Sequence, residues 1–97
     1  MIDLEGLPGA ENVEHGLADL RAGRSSWQAL LVATAAGRLR GLGVPVPQGA
    51  EQIGEPELAL YEALGGECDD PYYRYNAVRR ELDSFISALE ARHFRTA

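Results

Sequence analysis

From Tyr72 to Ala97 the chain contains neither glycine nor proline, and directly before this run stands Asp69-Asp70-Pro71. An aspartate followed by proline is a strong helix start, because the carboxylate accepts an orphan amide and proline has no amide to leave unpaired. Beyond it Tyr75, Val78, Leu82, Phe85 and Leu89, joined by Ile86, recur at alternating three- and four-residue spacing. That is the inward seam of an amphipathic helix. From Pro71 to about Phe94 such a helix would run roughly 36 Å, at about 1.5 Å per residue. It is long for so small a chain, and the remaining elements must pack along it.

Glycine and proline divide the rest of the sequence into three further helices. After an apolar lead of Ile2, Leu4 and Leu7, a first helix is predicted from about Pro8 to Ala22. Val13, Leu17 and Leu20 form its stripe, while Glu11, Glu14, Asp19 and Arg21 are expected to face water. Gly16 weakens this helix by roughly 1 kcal/mol relative to alanine, and its missing side chain leaves room for a close neighbour. Gly23 ends it. Ser25-Ser26-Trp27-Gln28 then reads as a capping box with Ser25 as the N-cap. The second helix follows through Trp27, Leu30, Leu31, Ala35, Leu39 and Leu42, apolar around much of its circumference and so expected at the centre. Arg38 and Arg40 fall in its last turn, where cations complement the carbonyl end of the dipole.

Residues 43–54, GVPVPQGAEQIG, alternate proline with valine and predict an extended strap with Val44 and Val46 on the core. Glu55-Pro56-Glu57 starts a short third helix, which ends at Gly65-Gly66. No strand-like alternation, internal repeat or low-complexity tract occurs. The expectation is an all-α, four-helix domain spanning residues 1–97, with its second and fourth helices forming the main core.

Composition narrows the function classes. Ninety-seven residues with 45% hydrophobic and 25% charged side chains lie in the range of ordered globular chains with one core. Nine basic against fifteen acidic residues give a net charge of -6. This repels a phosphate backbone and argues against nucleic acid as a partner. No apolar run approaches the roughly 20 residues of a membrane helix, and the N-terminus lacks the basic region of a signal peptide. The single Cys68 cannot form an internal disulfide and has no metal-ligand spacing around it. A cytoplasmic location is therefore expected, with neither cofactor nor metal implied.

No catalytic pattern stands out. Ser25 and Ser26 are accounted for by capping, His15 and His93 are far apart, and the acids beside Cys68 disfavour a thiolate. Glu11, Glu14 and His15 on the first helix, with Glu67, Asp69 and Asp70 before the fourth, are the acids on which an alternative reading rests, that of a small-molecule or metal-dependent enzyme. Asp70, however, already has a capping role.

The segment DDPYYRYNAVRRELDSF concentrates tyrosine and arginine, but about 100° of rotation per residue disperses them. Tyr75 joins the seam, Tyr72 and Arg79 border it on one shoulder, and Arg74 borders it on the other. These border side chains are expected to lie over the core edge, with the arginines pairing with nearby acids. Tyr73, Ala77, Arg80, Ser84 and Ala88 run along the opposite side. This outer line is either a solvated helix face or a second packing face. The expectation is a non-catalytic interaction domain that uses it to bind itself or another protein.

Overall fold

The computed structural model describes residues 6–66 and 69–96. They form α1 (Ala10–Arg21), α2 (Trp27–Thr34), α3 (Ala36–Gly41), a 3-10 turn (Gln48–Gln52), α4 (Pro56–Gly65) and α5 (Pro71–Thr96). No strand occurs among the described residues, and the fold is all-α with a long C-terminal helix. Ile2 and Leu4 of the expected apolar lead, and Glu67 and Cys68, lie outside the described residues.

The helix predicted to run unbroken to Leu42 is interrupted at Ala35, whose φ of -129° and ψ of 25° leave the helical region. The Thr34 hydroxyl donates to the Leu31 carbonyl at 2.6 Å. The Ala35 amide turns instead to the Val32 carbonyl at 3.1 Å. A threonine side chain competing for a carbonyl of the preceding turn is a familiar way to divert a helix. Sequence periodicity continues through the break because Ala36 and Leu39 are still buried.

Two glycines close their helices by the same device. Gly23 and Gly43 have φ of 76° and 92°. In each case the next amide returns to a carbonyl five residues back: Arg24 to Asp19 at 2.8 Å and Val44 to Leu39 at 3.0 Å. These are Schellman turns, in which the left-handed residue is most easily a glycine. The second turn directs Val44 into the core, where Val46 and Ala50 follow it. Arg40 clamps the strap by donating to the carbonyls of Val46 at 3.1 Å and Pro47 at 2.8 Å. The strap is extended only as far as Pro47, and the expected extended stretch beyond it is instead the 3-10 turn.

The packing order differs from the expected pairing of the second and fourth predicted helices. α1 lies most closely on α2, α2 on α4, and α4 on α5, while the backbone of α5 comes near α2 at few points. Small residues explain the difference. Gly16 and Ala29 are buried, and a Cβ on Gly16 would lie 2.6 Å from Val32 Cγ2 and closer still to the Gln28 carbonyl oxygen. α1 and α2 therefore meet nearly backbone to backbone. α5 reaches the same core through long side chains, Leu82, Phe85, Ile86 and Leu89, which hold its axis farther out. With 26 residues α5 is about 39 Å long, close to the 42 Å long dimension of the molecule.

Candidate functional site

Asp70 caps α5 as the sequence suggests, its Oδ1 accepting the Tyr73 amide at 3.0 Å. The helix then presents its seam inward, with Val78, Leu82, Phe85, Ile86 and Leu89 all buried. One flank is closed by α1 and α2. Arg74 lies over the Trp27 ring at 5.2 Å, and Asn12 Nδ2 donates to Glu81 Oε1 at 2.5 Å. The other flank is closed in its first turns by α4, where the Tyr61 and Tyr75 rings meet edge to face at 5.7 Å. Farther along this second flank, Arg38 of α3 reaches Glu90 at 3.5 Å.

Arginines on both shoulders use aromatic partners instead of the expected acids. Arg74 stacks on Trp27, while Arg79 lies 5.7 Å from the Tyr75 centroid and donates from Nη1 to the Tyr75 hydroxyl at 2.9 Å. Its Nε is buried without a hydrogen-bond partner among the described residues. An aromatic face offers a cation some electrostatic attraction at little desolvation cost, and this suits half-covered positions.

Along the outward side of α5, Tyr73, Arg80 and Ser84 are exposed, while Ala77 and Ala88 are half-buried. Ser87 and Ala91, which the sequence reading left out, are also exposed and continue the same side. The heptad spacing 73, 77, 80, 84, 87, 91 was the signal that could have found them. Among the described residues the large exposed apolar side chains are Tyr72 at 68% and Tyr73 at 69% on α5, with Leu58 at 52% and Tyr61 at 38% on α4.

Among the described residues, the acids of α1 and those before α5 do not share a cleft. A surface cleft at the start of α1 brings Glu11 and Glu14 together with Glu81 of α5, and neither Asp69 nor Asp70 joins it. Among the described residues no group of three or more histidine, cysteine, aspartate or glutamate side chains is arranged to hold a metal ion. His15 instead turns to Asp19.

Asp19, expected to face water, is 4% exposed and forms the most elaborate polar cluster among the described residues. Its Oδ2 accepts from Ser26 Oγ at 2.5 Å and lies 3.1 Å from His15 Nε2, while its Oδ1 accepts from Arg24 Nε at 2.9 Å. The Ser26 hydroxyl bond holds this carboxyl below the usual carboxylate range against burial, the next-largest effect, which raises it, and Arg24 and His15 add lesser lowering. Ser26, not Ser25, is the N-cap, and its oxygen accepts the Ala29 amide at 3.2 Å. The cluster joins the end of α1 to the start of α2 and is saturated by its own partners.

The fold and its surfaces define a small all-α domain with exposed tyrosines on α4 and α5 and a long C-terminal helix whose outer side is largely exposed. In comparisons with known proteins, no family model, no curated protein and no solved structure matches the chain. No helix among the described residues is long and apolar enough to cross a membrane.

Proposed function

We propose that the chain is a non-catalytic protein-interaction domain that associates through the outer side of α5, either as a homodimer or with a protein partner. One observation carries this reading: the outward row of the longest helix leaves Arg80 and Ser84 exposed and begins at Tyr73, which is 69% exposed. A tyrosine offers a large contact area at small conformational cost, and small residues further along let a second helix approach closely. The net charge of -6 disfavours nucleic acid as that partner. A cytoplasmic setting fits the single cysteine.

Analytical ultracentrifugation of the purified chain, and of Ala77→Glu and Ser84→Arg variants, tests the proposal. Association by the parent chain that either variant weakens, with helicity unchanged by circular dichroism, is the expected result. A strict monomer at high micromolar concentration removes the homodimer. Association untouched by both substitutions removes this face.

A further inference from the structure

Arg80 on the outward side of α5 and Asp83 on the shoulder beside it, with Tyr72, are both exposed, and neither makes an ion pair or hydrogen bond among the described residues. They stand three residues apart near the middle of the helix, between the large Tyr73 at one end and the small Ser87 and Ala91 at the other. A surface with opposite charges beside its centre, and with bulk at one end and space at the other, is complementary to its own reversed copy.

Resting on the interaction reading above, we infer that the partner is a second copy of this chain, packed with its α5 antiparallel across a twofold axis passing between Arg80 and Asp83. The axis sets each Arg80 opposite the partner's Asp83, so the charge pair forms twice. It also brings each Tyr73 over the partner's Ser87 and Ala91, where small side chains leave room for a ring. Parallel pairing does the reverse, stacking Arg80 on Arg80 and Tyr73 on Tyr73. Twofold contacts of this kind use one patch on both copies. A single helix face is narrow beside the roughly 800 Å2 per partner that a stable interface buries. The exposed Tyr72, on the shoulder of α5 beside Asp83, widens the apolar contact.

Charge reversal tests the geometry, with sedimentation equilibrium as the readout and circular dichroism as the control for folding. Arg80→Asp alone and Asp83→Arg alone each place like charges opposite one another twice, and each is expected to weaken self-association about tenfold or more. Mixing the two variants matches every charge again and is expected to restore dimerisation, as is combining both substitutions in one chain. Parent-like dimerisation by the single variants, or no gain on mixing, overturns the antiparallel arrangement while leaving association through α5 standing. A monomeric parent chain overturns both.

Discussion

Ser26 donates its hydroxyl to Asp19 Oδ2 at 2.5 Å and with the same oxygen accepts the amide of Ala29 at 3.2 Å. The N-cap of α2 is thus anchored to the last turn of α1. The Schellman turn at Gly23 brings this about, because it folds Arg24 back so that its amide meets the Asp19 carbonyl and its guanidinium the Asp19 carboxylate.

Asp19 makes stability depend on pH in a known direction. Its carboxyl titrates lower in the folded chain than in the unfolded one, where about 3.9 is usual. The stabilisation is therefore complete well above that value and is lost as pH falls through the lower folded value. Urea unfolding of the parent and of Asp19→Asn should show the parent more stable at pH 7. The gap should narrow as the pH drops below about 4. A gap that stays constant down to pH 2 would show that the charge on Asp19 is immaterial.

At Gly16, the usual rule for alanine in helices should fail. Gly16→Ala ordinarily gains about 1 kcal/mol inside a helix. Here the new Cβ would lie 2.6 Å from Val32 Cγ2 and also against the Gln28 carbonyl, so α1 must move away from α2. A net loss of about 1–3 kcal/mol is expected from overpacking, measured by chemical denaturation. Adding Val32→Ala should not rescue the variant, because the Gln28 backbone stays in place.

The single tryptophan reports on how α5 docks. Arg74 lies 5.2 Å from the Trp27 ring, so Arg74→Ala should uncover the indole and shift its emission to longer wavelength. The accompanying loss of stability should be about 0.5–1 kcal/mol, the range for a partly exposed cation and ring. Unchanged emission would mean that the two helices do not hold this contact in solution.

Much of the fold was legible from local signals. Asp70-Pro71 marked the start of α5, the three- and four-residue spacing identified Val78, Leu82, Phe85 and Leu89 as its buried seam, and Gly23 and Gly43 marked chain reversals. Each depends on the chemistry of a few neighbouring residues: a carboxylate over free amides, an apolar period of one helical turn, or a residue without a Cβ penalty at positive φ. The outer row of α5 was legible on the same grounds, since whatever lies opposite a continuous seam must point outward.

What required the tertiary structure was every choice between locally equivalent options. Ser25 and Ser26 both suit a cap, and Asp19 decides for Ser26 by offering its hydroxyl an acceptor. Asp19 itself carried no sign of burial, because a carboxylate is tolerated inside only when donors surround it, and those donors converge only after the chain turns at Gly23. Arg74 had acids nearby in sequence but found the Trp27 ring, which only the folded chain brings within reach. The sequence by itself determined where the principal helices lie and which side of each is apolar, since these follow from local propensity and period, but not the break at Ala35 or the 3-10 turn at Gln48–Gln52. Only the folded chain decided that α1 closes onto α2 through Gly16 while α5 stands off on longer side chains. Close approach depends on what two distant segments present to each other.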